Sequence, residues 1–491
     1  MSVIKQLSKQ DVLLVAGENA TSYQHTAGLV VLDSSARPDF NFDIFRDNAI
    51  ERISQIPHFH WKLHEVPLGL DLPYWVTDEN FSYDHHIKRI AVPSPGDRVA
   101  LAELVAHLYS KHLDRSRPLW EMWFIEGLAG GKFAILQKLH HCLMDGQGAA
   151  KLGEIMCDLD PDTPSHKVSE DIASAKAGRV PATWERSART AIHLARLPGE
   201  VTRGMYGIFR PKIVEQLSWN KTSEKDRPAL PRAFFNGDIG SDRGFIFGSL
   251  PLKKIKTVKA HFDVSVNDVV LALVGSVMSN YLLAQDQLPV ESLRASMAVS
   301  LRSEADDDFS NKVTTTSVTM ATDLDDPAER LRAINRESEL AKREARSGAM
   351  GFMEVFQMMP PILVNTMLEV TTPEQALQIM GANLILSNVR GSPDPLYIAG
   401  VRMETMYPMS VIMHGVGINI TCLSYTDQID FGVTVAPELV PEPWSIIDGL
   451  EVALSEYVAL TRKKSIRRKK AVARKTAPKR ATRTAPARPQ T

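Results

Sequence analysis

Residues 133–146 read FAILQKLHHCLMDG. The first seven, FAILQKL, form an apolar run of strand length. A helical pattern of apolar residues resumes over 148–157. A strand, a tight connection and a helix place His140, His141 and Asp145 together at the edge of a sheet. Imidazole is the side chain whose unperturbed pKa, ~6.5, suits proton transfer near neutrality. Neighbours on an extended segment point to opposite sides, so only one of His140 and His141 faces a cleft. Asp145 follows His141 by four residues, and Gly146 permits a sharp turn that swings the carboxylate away from the cleft, where it holds the loop.

Other readings of this stretch are weaker. A chance HHxxxDG in an ordinary loop is one. A metal site needs three or four ligands; His141 and Asp145 supply two and no HExxH occurs, so no metal is expected. A Cys142 nucleophile needs a histidine facing its sulfur, and its neighbour faces away. Gly146-Gln147-Gly148 lies between strand and helix, but Lys151 stands at the third glycine position of a dinucleotide fingerprint.

Outward from this motif, the chain has 491 residues, enough for two or three domains. Its 44% hydrophobic and 23% charged content excludes collagen-like, wholly disordered and multi-span membrane classes. Three cysteines, Cys142, Cys157 and Cys422, exclude a disulfide scaffold. The net charge of −1 conceals an asymmetry. Residues 462–491 hold 13 of the 57 basic residues and no acid, leaving 44 basic against 58 acidic, a net −14, in 1–461. No signal-peptide core or membrane span is legible; the best candidate, 351–370, is broken by Glu354, Glu369 and Pro360-Pro361. A cytoplasmic protein, touching membranes peripherally, is expected.

Strands and helices alternate through 1–160, with 27–32 (AGLVVL) a strand and 99–113 a helix. Residues 161–232 are polar and rich in proline, a linker with one or two helices, 184–197 foremost. Residues 233–461 resume ordered structure. Residues 267–283 form an apolar, buried helix, and Asp326-Pro327-Ala328-Glu329 carries the N-cap, N1 and N3 residues of another. Residues 418–423 and 429–435 are β-rich. The tail, 462–491, lacks the apolar surface to fold a core and reads as disordered.

HHCLMDG resembles the HHxxxDG signature of the coenzyme A-dependent acyltransferase superfamily. More narrowly, the chain resembles bacterial wax ester synthase/acyl-CoA:diacylglycerol acyltransferases. The resembling segments run in order from 5 to 460: Leu7-Ser8 with Asp11; Pro118-Leu119-Trp120 in DRSRPLWE; Asn267-Asp268 at the head of the apolar helix; Val299-Ser300-Leu301-Arg302 followed by Asn311; Ser387-Asn388-Val389-Arg390-Gly391; and Gly417-Ile418-Asn419-Ile420-Thr421 with Ser424-Tyr425. Three departures stand out: His25-Thr26-Ala27-Gly28 for a Met-His-Val-Gly-like segment, Ser310 for glycine, and Arg390 for proline. Asp430-Phe431-Gly432 faintly resembles the DFGWG of plant acyltransferases and reads as coincidence.

The resemblance implies an α/β fold of two chloramphenicol-acetyltransferase-like domains with a tunnel between them, residues 1–160 carrying the histidines and 233–461 the second domain. It implies acyl-CoA as donor, diacylglycerol or a long-chain alcohol as acceptor, and no cofactor. His141 would be the general base and His140 a support of its loop. Asn267 would be an oxyanion donor or an N-cap, Asp268 structural, and Arg302 the partner of Asp145. Pro118, Leu119 and Trp120 would be packing or channel residues, and the remaining histidines, His58, His60, His85 and His86, ordinary surface or structural residues. Three competing functions remain at this point: a condensation domain of peptide synthesis, a non-catalytic lipid-surface protein, and non-specific nucleic-acid binding by the tail. With no aromatic residue in 462–491 for base stacking, an anionic membrane or lipid inclusion suits the tail better.

Overall fold

The computed structural model describes residues 4–66, 72–143, 152–153, 155–162, 173–186, 230–300, 313–346 and 370–476, with isolated positions between 189 and 199; the side chains of 463–476 are not among them. Met144, Asp145, Gly146, Arg302, Ser310 and Asn311 lie outside the described residues. The strands, in chain order, are β1 His25–Asp33, β2 Trp61–His64, β3 Tyr74–Thr77, β4 Ile87–Ala91, β5 Trp120–Glu126, β6 Phe133–His140 and β7 Gly244–Pro251. They continue as β8 Arg294–Ser300, β9 Val313–Thr319, β10 Leu384–Arg390, β11 Tyr397–Ile398, β12 Val401–Met409, β13 Ile418–Tyr425 and β14 Gln428–Val435.

Two six-stranded mixed sheets organise twelve of these strands, in the orders β11-β12-β1-β6-β5-β4 and β7-β14-β13-β10-β8-β9, and β2 pairs with β3 in a separate two-stranded sheet. Strand β6 sits centrally in the first sheet, antiparallel to β1 on one side and β5 on the other. Its apolar run is buried because both faces are covered. Leu136 faces a cluster with the Arg98–Tyr109 helix, and Ile135 and Leu139 face one with the Phe42–Ile53 helix. The chain beyond residue 233 contributes to both sheets, since β11 and β12 join the first.

The second half is built around the Val266–Ala284 helix. Ser265 caps it reciprocally with Asp268, and nearly every side chain from Val269 to Met278 is enclosed. By length and composition it is the one described helix able to cross a membrane, which corrects the expectation that no stretch reaches that length. Its burial, 78% of the apolar window, explains the composition as that of a core helix. Pro327–Arg346 begins as expected, with the Glu329 amide donating to Asp326 Oδ1 at 2.9 Å.

Asp430-Phe431-Gly432 is not incidental. Asp430 on β14 is fully buried and accepts from the backbone N–H of Met406 on β12, 2.9 Å away, joining the sheets. A Cβ on Gly432 would lie 1.9 Å from the carbonyl oxygen of Pro408, so only glycine allows this approach. The final helix, Trp444–Thr476, packs Leu450, Leu454 and Tyr457 into the core and then runs on into the basic segment. Residues 462–476 are therefore helical, correcting the expectation of a tail without structure from 462. Lys, Arg and Ala are strong helix formers, and a helix already nucleated by packing extends cheaply through them.

Candidate active site

The end of β6 is held on both sides by its neighbours. The His140 amide donates to Leu119 O at 3.0 Å, and the His141 amide donates to Gln24 O at 2.8 Å. The two imidazoles then differ. His140 is 1% exposed; its Nδ1 accepts from the Cys142 amide at 3.2 Å, which places the ring proton on Nε2. That Nε2 faces Glu18 Oε2 at 3.6 Å. His141 is only half-buried. Of the pair, His140 is walled into the protein, and His141, in the turn that follows β6, is partly exposed with its Nδ1 shielded from solvent.

Glu18 is the residue that sequence reasoning missed. It sits in the irregular segment before β1, where no period marks it. His112 at 3.8 Å and Arg115 at 3.7 Å surround its carboxylate along with His140. Burial alone would raise its pKa; His140, Arg115 and the Gln24 amide outweigh burial and hold it below the ordinary carboxylate range. His25 is opposite His140 in the β1–β6 pair. Fully enclosed, it contacts Tyr109 O through Nε2 at 2.7 Å, and burial, with Lys138 nearby, pushes its pKa well down, so the ring is neutral.

Cys142 is buried, and that burial drives its thiol well above the usual range, so it is no thiolate nucleophile. Among the described residues no three His, Cys, Asp or Glu side chains gather in a metal-holding group.

Asn267 is not the helix cap; Ser265 is. The Asn267 side chain is free of that task, and its Oδ1 accepts from Asn388 Nδ2 at 2.9 Å. This leaves the Asn267 amide N–H₂ to point elsewhere, at a helix N-terminus that favours negative charge. Asp268 accepts from the Ser265 amide, Asn335 and Ser338, ties within the protein itself. Leu119 packs in the cluster that contains Cys142. Pro118 and Trp120 line a cavity of about 110 Å³ with His85, His86, Lys88 and Arg117. His86 is no surface residue: it is 3% exposed, stacked on Trp120 at 4.4 Å.

The two sheets with HHxxxDG at the end of a central strand define a fold shared with condensation domains. The first condensation domain of the calcium-dependent antibiotic synthetase matches at TM-score 0.52 and 12% identity, over 94% of this chain and 97% of that one. The wax ester synthase/diacylglycerol acyltransferase from Marinobacter aquaeolei VT8 matches at TM-score 0.70 and 27% identity, over 93% of this chain and 99% of the other. The wax ester synthase/diacylglycerol acyltransferase catalytic domain matches residues 7–270, and the C-terminal domain of the same family matches 309–457. A Mycobacterium tuberculosis H37Rv protein named "Putative diacyglycerol O-acyltransferase Rv1760" is 30% identical over 93% of this chain and 90% of its own length. The chain belongs to the wax ester synthase/diacylglycerol acyltransferase family and is an acyltransferase.

Proposed function

We propose that the protein moves a long-chain acyl group from acyl-CoA to diacylglycerol, making triacylglycerol, or to a long-chain alcohol, making wax ester. The observation that carries the mechanism is the contrast between adjacent imidazoles at the end of β6: His140 is enclosed against Glu18, and His141 is half-buried. A thioester carbonyl is already electrophilic, whereas an alcohol attacks well only as its proton leaves. His141 accepts that proton while the alcohol oxygen bonds to the acyl carbon. The tetrahedral intermediate then expels the CoA sulfur, which takes the proton back from His141. Such proton transfer contributes ~10²–10⁴-fold. Asn267, its oxygen engaged by Asn388, offers its N–H₂ to the oxyanion.

The enzyme works in the cytoplasm, and its basic C-terminal segment draws it to anionic membranes or lipid inclusions. Cutting after Thr461 should spare turnover on detergent-dispersed substrate and weaken co-sedimentation with anionic vesicles, most at low salt. The reaction itself is tested by offering labelled palmitoyl-CoA with diolein and with hexadecanol in parallel. Labelled ester matched by released CoA thiol is expected with at least one acceptor. Release of free fatty acid without ester from either acceptor would overturn the reading.

A further inference from the structure

The segment after the first half carries a feature that catalysis does not use. Trp184 is 72% exposed, Ile192 52% and Val180 39%. Of the seven tryptophans, Trp61, Trp75 and Trp120 are buried, and Trp123 and Trp444 half-buried. Trp184 is thus the one described indole presented to solvent.

Its presentation is built into the fold. The Gly178 amide donates to Trp75 O at 2.9 Å, and Gly178 bridges to Val76, adding the segment to the edge of β3. A Cβ there would meet the Lys5 backbone nitrogen at 2.5 Å, so the segment lies flush on the body. Ala175 and Ala177 pack against the cluster that holds Leu119, Cys142 and, at its margin, Leu143. Arg179 grips Glu185 with two 2.7 Å hydrogen bonds, the Ala182 amide donates to the same carboxylate at 2.8 Å, and residues 183–186 form a helical turn. Arg189 bonds Gln6 at 3.1 Å. The backbone is thereby pinned at several points while the indole faces outward.

Residues 179–200 hold four arginines against two glutamates; Glu185 neutralises Arg179, and Arg186 and Arg189, without an acidic partner among the described contacts, keep this stretch cationic on a body whose net charge over 1–461 is −14. An exposed indole beside arginines is the composition of an interfacial anchor: the ring rests at headgroup level and the cations meet lipid phosphates. A second copy fits less well. The three exposed apolar side chains among the described residues of this segment fall far short of the ~800 Å² that a stable partner buries on each side, and the arginines of two copies would repel.

We propose that Trp184, exposed together with Val180 and Ile192 in this segment and accompanied by Arg186 and Arg189, docks the protein on an anionic phospholipid surface, with its indole inserted. Because this segment packs on the cluster next to His141, docking brings the reaction site beside the phase that holds its acceptor. That benefit rests on the lipid acyltransferase reading; the docking itself does not.

The test reads binding without turnover, on the full chain, so a failed acyltransferase reading leaves it intact. Phosphatidylcholine vesicles doped with phosphatidylglycerol are offered at physiological salt, with bromine-labelled acyl chains to quench inserted indoles. Trp184→Ser should partition roughly ten-fold more weakly and lose most of the quenching seen in the natural protein. Trp184→Phe should keep most of the binding. Acyl transfer to a short, water-miscible alcohol should be unchanged in both variants. Equal partitioning and equal quenching of Trp184→Ser and the natural protein would overturn the proposal. So would sedimentation velocity showing that the substitution converts a dimer to a monomer, which would make this face a self-association surface.

Discussion

Glu18 lies beside His140 at the end of the first sheet, and Asp430 lies where the two sheets meet; neither side chain is more than 5% exposed. Burial pushes both carboxyls up. At Glu18 the imidazole of His140 and the guanidinium of Arg115 reverse that push, and the pKa ends below normal. At Asp430 the partners are all neutral: Ser249 Oγ at 2.6 Å, the Met406 amide at 2.9 Å and Gln428 Nε2 at 2.9 Å. Burial wins there, and the pKa rises to about 6. Charge at the first site and its near-absence at the second separate a carboxylate that braces the end of β6 from one that fastens two sheets.

The largest effect should come from emptying the first site. Glu18→Ala leaves His140 enclosed without its acidic partner and frees the loop that carries His141. Misplacement of a reacting group by about 1 Å costs ~10²-fold, so turnover should fall roughly ten- to a hundred-fold. Glu18→Gln, which keeps the shape and loses the charge, should fall less. Turnover of Glu18→Ala within about two-fold of the natural enzyme would erase the distinction drawn between the two carboxylates.

Asp430 should betray itself through pH rather than catalysis. Its folded pKa, about 6, exceeds the ordinary 3.8. A raised carboxyl favours the folded state most below the lower value, and that contribution is lost as pH rises through the higher. Asp430→Asn removes the titration. The stability of the natural protein relative to the variant should therefore decline from pH 4 to pH 7, by about 2 kcal/mol in denaturant titrations. Parallel curves across that range would show that Asp430 does not titrate as its neutral partners imply.

A smaller effect should mark Asn388, whose contact with Asn267 is polar, neutral and exposed. Asn388→Ala should change stability by less than about 0.5 kcal/mol and lower turnover about five-fold by loosening the Asn267 amide. Unchanged turnover would remove Asn388 from the active site and leave ion pairing as the sole orienting device.

The parts of this molecule that local pattern governs were legible in its sequence. The apolar run before His140, the capped start at Pro327 and the enclosed Val266–Ala284 helix each follow from period and caps. What escaped was set by topology. Glu18 is 122 residues from His140, in a segment without period, and only the pairing of β1 with β6 brings them together. Asp430 and Gly432 sit in an apolar strand where an acid and a glycine look like blemishes, until the crossing of β12 shows what they meet. Of the two roles left open for Asn267, the cap belongs instead to Ser265, two residues earlier, a choice that sequence leaves undecided because Asn and Ser are equally good caps.

The central claim is that His141, and not its neighbour, moves the proton. The direct measurement is kcat for palmitoyl transfer by His141→Ala, taken with its melting temperature. A loss of ~10²–10⁴-fold with the fold intact is predicted, because the proposed proton transfer needs the His141 imidazole, while His140 and Glu18 hold the strand end in place. Turnover within a few-fold of the natural enzyme, in a variant that melts normally, would contradict it.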